Sequence, residues 1–535
     1  MRSAPDFFDA VLRDRPDARA IAFFDADFSY ASVSARADRM ALWLRSHGIR
    51  HEDRVVLQLQ NVPQFAMVAL AVWRLGAVLV PINPMYKRDE ISHVLNDSGA
   101  TLFIGATQTA PEAREACRRS GVTQVDFVNE FGLQGRDDER LFVSVAADPE
   151  PSELDVLLSR DDGHDGTESL MSESFVPAEL SPHDLAMICY TSGTSGSPKG
   201  AAISHDNVVA SVTAYRQWWE LPAGTDIAAI APLCHITGVI CGLVLPWVTG
   251  GAAVMTYRFH PEVTLSSFIE HRPGFMAATA TAFQALLSSP NASPDHFSSF
   301  LTLCSGGAAL PTAVLERFEQ ATGHYVYNGY GLTETSAACM SVPVSGHAPT
   351  DEEFGVVSTG HMLEGFQIRI LDDQRNDVVS GDLGEIAIAG RGVFSGYWQQ
   401  PEVTAQSFVD GYFLTGDIGC VRDGWIYVLD RKKELINASG FKVSPREVED
   451  VLYRHPAIRE AGVAGIPDDY RGEAVIAVIS LRDGASIDVD DVRAFVRERL
   501  AAYKVPKLVI VVDELPKNTN GKILRRELAA LAVRE

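Results

Sequence analysis

An alternation of short apolar segments with helical segments near the N terminus constrains the fold most strongly. The sequence predicts strands and helices in turn at Val55–Leu59, Pro63–Leu75, Ala77–Val80, Arg88–Leu95 and Thr101–Ile104. Asn61 is predicted to cap the first of these helices. Strands that alternate with helices form parallel sheets covered by helices. We therefore predict an α/β protein whose large N-terminal domain consists of layered α/β subdomains.

Two further regions have a different predicted pattern of strands and helices. Short strands at Ile368–Leu371 and Glu385–Ile388 indicate a smaller β-rich subdomain. Beyond a charged run after Asp430, an α+β pattern follows, with predicted elements at Pro445–Tyr453, Ala474–Leu481, Val489–Leu500 and Leu508–Val512. We therefore expect an N-terminal domain over residues 1–430 and a small, mobile α+β domain over residues 431–535. The acidic stretch from about Asp148 to Asp184 is predicted to be an exposed linker.

Composition limits the classes of partner. With 535 residues and a formal net charge of −24, the chain should form at least two domains, and it lacks the basic footprint needed for nucleic acid. The apolar stretch Ala228–Tyr257 is interrupted by prolines and glycines, so we predict buried helix and strand and no transmembrane segment. The seven cysteines are widely spaced, which favours a reducing, cytoplasmic location. The sequence leaves a homodimer open.

A loop rich in glycine and hydroxyl groups follows an apolar segment at Leu185–Tyr190 and precedes a helix start at Ser204. Its candidate phosphate-binding residues are Thr191, Ser192, Gly193, Thr194, Ser195, Gly196 and Lys199. Glycines let backbone N–H groups converge on anionic oxygens, and lysine adds a positive charge. It is not a Walker A loop, because Pro198 stands where that motif needs glycine. Strand, loop and helix together indicate a nucleotide site, although a flexible linker has a similar composition.

Further candidate residues lie in separate motifs along the second half of the chain. These are Asn328, Gly329, Tyr330, Gly331, Thr333 and Glu334 in one run, Asp417 after a short strand, Arg431 in a charged run, and Lys522 in a turn near the C terminus. An aromatic ring can stack on a base, and carboxylates can bind Mg²⁺ or ribose hydroxyls. Each motif alone also fits a structural turn or a solvated basic face. Their order along the chain is more informative than any one of them.

In this order the motifs resemble those of the adenylate-forming superfamily, which includes acyl-CoA synthetases, nonribosomal adenylation domains and luciferases. Within it the chain is most similar to acid–CoA ligases for fatty and aryl acids, from Gln60–Phe65 and Asn83–Met85 to Lys522. The resemblance implies a two-step reaction. A carboxylic acid first reacts with ATP and Mg²⁺ to give acyl-adenylate and pyrophosphate, and coenzyme A then displaces AMP.

The resemblance also implies residue roles. Thr191 to Lys199 would hold the β- and γ-phosphates, Thr333 the α-phosphate and Glu334 the Mg²⁺ ion. Lys522 would bridge the acid and the α-phosphate, Asp417 and Arg431 would bind ribose, and Tyr330 would stack on adenine. The ATP site would also include Ser305, Gly306, Gly307, Asn328, Gly329 and Gly331. Lys433 matches the hinge of the C-terminal domain, and Gly440 and Lys442 match a CoA-binding loop.

For the acyl pocket, the resemblance implies a mouth at His235 and a lining that includes Val239, Thr279, Gly329 and Gly331. The remaining candidate walls are Ile236, Ile240, Ala278, Cys304 and Ala337. No carboxylate occurs from Pro232 to Thr256, which argues against an amino-acid substrate, whose ammonium group would lack a counter-ion. Val239 stands where many long-chain enzymes have an aromatic gate. Medium-chain, branched, aryl and cyclic acids all stay open.

Other functions share parts of this pattern. An acyl-AMP ligase would load a carrier protein instead of CoA, although such relatives usually carry an extra segment that we do not see between Gly390 and Asp430. A relative that binds nucleotide without catalysis would have lost reactive residues, and every expected one is present here. A luciferase-like oxygenase would share the first half-reaction. The acid–CoA ligase is the leading hypothesis.

Overall fold

The structure is a computed structural model. It describes residues 1–136, 138–142, 151–159, 175–191, 198–307, 310–351, 353–431, 433–438, 441–468, 472–517 and 522–532. Within these residues the strands form four sheets, and helices cover the two largest. The predicted α/β architecture with a small α+β region at the C terminus is confirmed.

The first part of the chain alternates strands and helices as predicted. Its elements are α1 (Ala4–Asp14), β1 (Arg19–Phe23), β2 (Ala26–Ser29), α2 (Tyr30–Ser46), β3 (Arg54–Gln58), α3 (Pro63–Arg74), β4 (Val78–Pro81), α4 (Arg88–Ser98), β5 (Leu102–Ala106), α5 (Ala110–Ser120), β6 (Gln124–Val128), α6 (Glu139–Phe142), α7 (Glu153–Ser159), β7 (Leu185–Thr191) and β8 (Lys199–Ser204). Strands β4, β3, β5 and β6 are parallel neighbours, as strand–helix alternation requires.

A second α/β layer follows. Its elements are α8 (His205–Trp218), β9 (Ile227–Ala228), a π-helical segment (Gly238–Val244), α9 (Leu245–Thr249), β10 (Ala253–Met255), α10 (Pro261–His271), β11 (Phe275–Ala278), α11 (Ala280–Ser288), β12 (Thr302–Ser305), α12 (Thr312–Thr322), β13 (Val326–Leu332) and β14 (Ala337–Ser341). Short 3-10 turns lie at Thr107–Thr109, Pro294–Phe297, Thr333–Thr335 and Ala502–Lys504. Strands β11, β12 and β13 are parallel neighbours, so their carboxyl ends meet at one sheet edge.

The last part of the chain is richer in antiparallel strands. Its elements are β15 (His361–Met362), β16 (Phe366–Leu371), β17 (Gly384–Gly390), β18 (Gly396–Tyr397), α13 (Pro401–Gln406), β19 (Phe408–Val409), β20 (Tyr412–Arg422), β21 (Trp425–Arg431), β22 (Ile436–Ala438), β23 (Phe441–Val443), α14 (Pro445–Tyr453), β24 (Ile458–Asp468), β25 (Gly472–Leu481), α15 (Val489–Arg497), β26 (Leu508–Val511) and α16 (Arg525–Ala532). The predicted bounds of α14 agree with the structure.

The order of strands in the four sheets shows where the chain passes from the β-rich sheet to the C-terminal sheet. One sheet runs β18-β8-β7-β4-β3-β5-β6 and another runs β15-β14-β13-β12-β11-β9-β10-β1-β2. The β-rich sheet runs β16-β17-β20-β19, with β21 on β20, and the C-terminal sheet runs β23-β22-β25-β24, with β26 on β25. Strands β21 and β22 are consecutive in the chain but belong to different sheets. The short segment between them contains Lys433.

The core is centred on helix α3, all of whose 12 residues are buried. The indole of Trp73 donates a hydrogen bond to the Ala186 carbonyl at 2.7 Å and so links α3 to β7. The prediction that Asn61 caps this helix is wrong, because Val62 occupies the cap position and offers no side-chain hydrogen bond. Pro63 at the helix start needs no N–H partner, so the cap is dispensable. Asn61 has another role, described below.

The glycine and hydroxyl loop connects two antiparallel strands. Thr191 and Lys199 pair across β7 and β8, so a strand stands between the loop and the helix predicted to follow it directly. That prediction is wrong in its order of elements, because the small residues after Lys199 continue the sheet. A Cβ on Gly200 would come within 2.6 Å of Ile188 Cγ2, which shows how closely these strands pack. Ser204 does cap α8, accepting a hydrogen bond from Asn207 N at 3.2 Å.

Two other predictions can be judged. The expected linker from Asp148 to Asp184 contains α7, whose Leu154 and Leu158 are buried, so it is not exposed throughout. The Leu158 carbonyl accepts a hydrogen bond from Arg36 Nε at 2.8 Å. The apolar stretch Ala228–Tyr257 forms buried helix and strand, as predicted. In the part of the chain that the structure describes, no helix combines the length and the apolar character needed to cross a bilayer.

Candidate active site

The predicted ribose ligands meet through strand pairing. Asp417 and Arg431 are directly opposite each other on β20 and β21, and Arg431 Nε lies 3.6 Å from Asp417 Oδ1. The Tyr330 hydroxyl, from a different sheet, donates a hydrogen bond to Asp417 Oδ2. Asp417 is only 5% exposed, and β20 continues past it, so it does not follow the end of a strand as the sequence suggested. The result is a buried carboxylate with a cation and a hydroxyl donor beside it.

The glycine-rich strand β13 lies at the edge where parallel strands end. Ser305 on β12 pairs with Asn328, which brings the Ser305–Gly307 loop next to the run that ends at Gly331. Gly307 faces Thr279, because a Cβ built on it would lie 3.9 Å from Thr279 Cγ2. The carboxyl ends of neighbouring parallel strands are the usual place for a ligand in an open α/β sheet.

Some predicted ATP residues also have structural reasons for their identity. A Cβ on Gly331 would lie 1.9 Å from the Ala337 carbonyl oxygen, so close pairing of β13 with β14 demands glycine there. The Asn328 side chain donates a hydrogen bond to the Ser358 carbonyl at 3.1 Å. Gly329 has only ordinary contacts around its hypothetical Cβ, the nearest being Cys304 Sγ at 3.4 Å. For Asn328 and Gly331, the sequence pattern therefore reflects packing as well as any ligand.

The Glu334 carboxylate sits in a 3-10 turn that begins at Thr333. Its Oε1 accepts a hydrogen bond from the Tyr397 hydroxyl at 2.8 Å, and its backbone carbonyl accepts one from Phe394 N at 2.8 Å. Burial raises the pKa of the Glu334 carboxyl, although the Tyr397 hydrogen bond and the charge of Arg431 oppose that rise. Glu334 is therefore held in one place beside the ribose ligands.

Tyr397 is a site residue that the sequence reasoning missed. It lies on β18, opposite Ala201 of β8, and Lys199 Nζ lies 5.1 Å from the centre of its ring. The tyrosine thus connects the phosphate-loop lysine to Glu334. Cation–π contacts of this kind favour a fixed position for the ammonium group. The only signal in the sequence was an aromatic residue after Gly396, which does not by itself indicate a site.

Lys522 comes from the C-terminal sheet region but lies in the same site. Burial lowers the pKa of the Lys522 ammonium to about 8, helped by the nearby charge of Arg431 and opposed by that of Glu434. Asp417 also acts on this lysine electrostatically. The structure therefore brings Lys522 within electrostatic range of both predicted ribose ligands, although Arg431 and Asp417 lie 91 and 105 residues earlier in the chain.

The Asn61 side chain forms hydrogen bonds with the backbone of the segment that leads to His235. The Asn61 amide donates hydrogen bonds to the carbonyls of Ala229 at 2.7 Å and Ala231 at 3.0 Å, and its Oδ1 accepts one from Leu233 N at 2.8 Å. A Cβ on Gly238 would lie 2.0 Å from the Pro232 carbonyl oxygen, so the turn around His235 is tight. Asn61, mistaken for a helix cap, is therefore a support of the predicted pocket mouth.

The other predicted pocket residues are small or apolar and well packed. Val239 and Ile240 are fully buried in the π-helical segment that follows His235. The buried set also includes Ile236, Ala278, Cys304 and Ala337. Thr279 is half-buried, and its hydroxyl is 2.8 Å from that of Thr281. The predicted walls carry no charge.

Several predicted residues lie outside the described part of the chain or in the turn and sheet that follow β21. Ser192, Gly193, Thr194, Ser195, Gly196 and Gly440 lie outside the described residues. Lys442 is described only in its backbone, which pairs with Asn437 in the C-terminal sheet. Lys433 is exposed in the turn between β21 and β22. Among the described residues no group of three or more His, Cys, Asp or Glu side chains could hold a metal ion.

Known proteins with related sequences cover nearly the whole chain. The family model described as AMP-binding enzyme matches residues 8–398, and the model described as AMP-binding enzyme C-terminal domain matches residues 447–522. A long-chain-fatty-acid–CoA ligase of Bacillus subtilis is 32% identical over 518 residues, covering 96% of this chain and 91% of the relative. A feruloyl-CoA synthase of Amycolatopsis sp. is 33% identical over 520 residues, covering 96% of each.

Solved structures also match over the whole length. The ATP-bound structure of MatB from Rhodopseudomonas palustris superposes with a TM-score of 0.86 at 28% identity, covering 99% of both chains. The apo structure of the same protein, at the same identity and coverage, gives a TM-score of 0.77. The arrangement of this chain is thus more similar to the ATP-bound structure than to the apo structure.

Proposed function

We propose that this protein activates a hydrophobic carboxylic acid as its acyl-adenylate and transfers the acyl group to CoA. The chain belongs to the AMP-binding enzyme family and is an AMP-dependent acyl-CoA synthetase. Its co-substrates are ATP and CoA, and it requires Mg²⁺. The carrying observation is that Lys522, from the C-terminal region, is buried within electrostatic range of Asp417 and Arg431, which are paired in the β-rich sheet.

The first half-reaction joins two anions. The acid carboxylate attacks the α-phosphorus of ATP, the bond to the bridging oxygen breaks, and pyrophosphate leaves. Negative charge accumulates at the α-phosphate, so a fixed cation there stabilises the transition state more than the separated reactants. Lys522 supplies this cation, and Thr333 donates a hydrogen bond to the same phosphate. Asp417 and Arg431 orient the ribose, and Tyr330 supports both the ribose ligand and the adenine.

The departing pyrophosphate is restrained by the loop from Thr191 to Lys199. Lys199 is held near Glu334 through Tyr397, which supports a shared function for these residues. A carboxylate is a suitable ligand for Mg²⁺, a hard cation that usually binds through few protein carboxylates together with substrate phosphates. Glu334 would hold the ion, whose charge neutralises phosphate oxygens when bound.

In the second half-reaction the CoA sulfur attacks the acyl carbon and AMP leaves. We propose that the C-terminal domain, predicted from the sequence to span residues 431–535, turns about Lys433 between the two steps, while Arg431 itself stays on β21 opposite Asp417. Rotation would remove Lys522 and bring Gly440 and Lys442 toward CoA. The exposed turn at Lys433, between strands of separate sheets, supports a hinge at this position. The greater similarity to the ATP-bound MatB structure supports an adenylate-forming orientation here.

The substrate is proposed to be a medium-chain, branched, aryl or cyclic acid. The uncharged walls near His235 support a hydrophobic acid, because a charged substrate group would be buried without a partner. The relatives named above act on long-chain fatty acids and on a feruloyl group, and both are hydrophobic. Val239 and Ile240 are aliphatic and fully buried. We also propose a cytoplasmic location, which the free, buried cysteines support.

The test measures the half-reactions separately. ATP–pyrophosphate exchange across aliphatic, aryl and polycyclic acids reports adenylation, and thioester formation is then compared with CoA and with an acyl carrier protein. We expect acid-dependent exchange and transfer to free CoA. Exchange followed by transfer to the carrier protein alone would replace the proposal with an acyl-AMP ligase. No AMP formation with any hydrophobic acid would contradict it.

A further inference from the structure

A charged cluster joins the two sides of the proposed hinge. The Arg525 guanidinium donates hydrogen bonds through Nη1 to Asp430 Oδ1 at 2.6 Å and to Glu434 Oε2 at 2.8 Å. Its Nη2 donates to Glu449 Oε2 at 2.9 Å. Asp430 lies in β21, before Lys433, whereas Glu449 and Arg525 lie in helices after it. Arg525 therefore binds one carboxylate that precedes the proposed hinge and two that follow it.

The Asp430 carboxylate is buried and accepts hydrogen bonds from residues of the C-terminal region. It is 1% exposed and accepts a further hydrogen bond from Ser444 Oγ at 3.2 Å. Burial alone would raise its pKa, but the guanidinium groups of Arg525 and Arg446 hold the pKa of this carboxyl below its ordinary value. A buried carboxylate that loses its counter-ion is costly. An orientation that keeps the Asp430–Arg525 pair is therefore favoured over one that separates it.

Arg525 is also closely tied to Lys522. The two residues are three positions apart, and between them Leu524 N donates a hydrogen bond to the Pro516 carbonyl at 2.9 Å. Ile523 forms an isolated β-bridge with Lys517. Because the chain between them is short and anchored, the position of Arg525 against Asp430 determines where Lys522 can lie.

We propose that Arg525 is a positioning residue for Lys522: its ion pair with Asp430 favours the orientation of the C-terminal domain in which the acyl-adenylate forms. Glu449 keeps the guanidinium in place within its own domain and does not select an orientation. Arg446, which donates to the Val428 carbonyl at 2.9 Å, is a second contact across the hinge. This proposal rests on the two-step function proposed above.

The experiment compares the two half-reactions in four variants of the full chain, which are Arg525→Lys, Arg525→Met, Asp430→Asn and Glu449→Gln. Arg525→Lys keeps a positive charge but cannot reach carboxylates on both sides through a planar fork. Asp430→Asn removes the charge on the first side of the hinge. Glu449→Gln is the matched control, because it removes a carboxylate from the same guanidinium on the same side as Arg525. Each variant is first checked for cooperative thermal unfolding.

We expect Arg525→Lys and Asp430→Asn to lower pyrophosphate exchange about tenfold, a typical size for a conformational coupling. Thioester formation from supplied acyl-adenylate should stay the same or rise. Glu449→Gln should lower thermal stability without changing the ratio of the two rates. Arg525→Lys should retain more pyrophosphate exchange than Arg525→Met, because lysine keeps the positive charge and methionine does not.

Three results would overturn the proposal. These are equal losses in both half-reactions, an unchanged ratio in Asp430→Asn, and the same ratio change in Glu449→Gln. If Arg525→Lys does not fold, Asp430→Asn alone decides. If the unaltered protein shows neither half-reaction, the proposed function fails, and that result is distinct from a failure of the positioning role.

Discussion

The two ends of the site are built differently. At the ribose end, Asp417 and Arg431 are neighbours on adjacent strands of one sheet, and Tyr330 reaches them from a buried strand. At the other end, Lys522 comes from a region with its own sheet and lies three residues before Arg525, whose ion pairs we propose to position it. Strand pairing fixes the first set in any orientation of the C-terminal domain. Under the proposed two-step function, the lysine is present in the site only in one orientation of that domain.

This difference teaches how one site can serve two reactions. AMP must stay bound throughout both half-reactions, so its ligands belong on a rigid sheet. In the proposed reaction the lysine is needed only while charge accumulates on the α-phosphate, so it can be carried on a domain that moves. The comparison predicts that substitutions at the lysine end separate the two half-reactions, whereas substitutions at the ribose end affect both.

The largest effect is expected for Lys522→Ala. Pyrophosphate exchange should fall about 10²- to 10³-fold, the usual loss for one fixed group that stabilises transition-state charge. Thioester formation from supplied acyl-adenylate should be retained, because the lysine is not needed in that step. Equal losses in the two assays would show that the lysine end is not confined to one half-reaction.

The pH profile should show the same separation. The lowered pKa of Lys522, about 8, means that the free enzyme carries the ammonium below that pH and loses it above. The kcat/KM for ATP in pyrophosphate exchange should therefore fall about tenfold per pH unit above 8. Thioester formation from acyl-adenylate should lack this decline. In Lys522→Arg the rate should be lower but flat to higher pH, because arginine stays charged.

A smaller effect is expected for Tyr330→Phe, which keeps the ring and removes the hydrogen bond to Asp417. AMP affinity should weaken about five- to tenfold, as for the loss of one hydrogen bond of ordinary strength. Calorimetry measures this directly. Tyr412→Phe is the matched control, because its hydroxyl donates to Gln367 Oε1 at 3.0 Å on β20, the strand that carries Asp417, and makes no contact with that carboxylate. Equal affinities in the two variants would contradict a role at the ribose end.

The smallest effect is expected for Tyr397→Phe. When the Tyr397 hydroxyl is removed, Glu334 loses one hydrogen bond but keeps its position in the 3-10 turn. The Mg²⁺ concentration that supports half-maximal exchange should rise about threefold, the size of a modest hydrogen-bond loss. The Mg²⁺ requirement of Tyr327→Phe, whose hydroxyl donates to the Val344 carbonyl at 3.1 Å, should not change. An unchanged requirement in Tyr397→Phe would exclude the tyrosine from the metal-binding arrangement.

The local elements were largely predictable because their signals are local. The apolar periodicity of α3 and the cap of α8 are contained in a few neighbouring residues. Strand β24 was missed because Gly462, Gly465 and Pro467 resemble a turn. Its glycines have a tertiary reason, since a Cβ on Gly462 would come within 2.7 Å of Leu528 Cδ1 in α16. Nothing near Gly462 in the sequence reveals that a helix packs there.

The sequence by itself determined the chemical inventory of the site: a loop suited to phosphates, carboxylates for ribose and Mg²⁺, and a lysine on a turn. Residue type and short spacing are local properties, and they were enough for the family resemblance. Only the tertiary structure decided that Asp417 pairs with Arg431, that Tyr397 connects Lys199 to Glu334, and that Arg525 contacts carboxylates on both sides of Lys433. These contacts depend on strand register and domain packing between segments far apart in the chain, where local patterns carry no distance information.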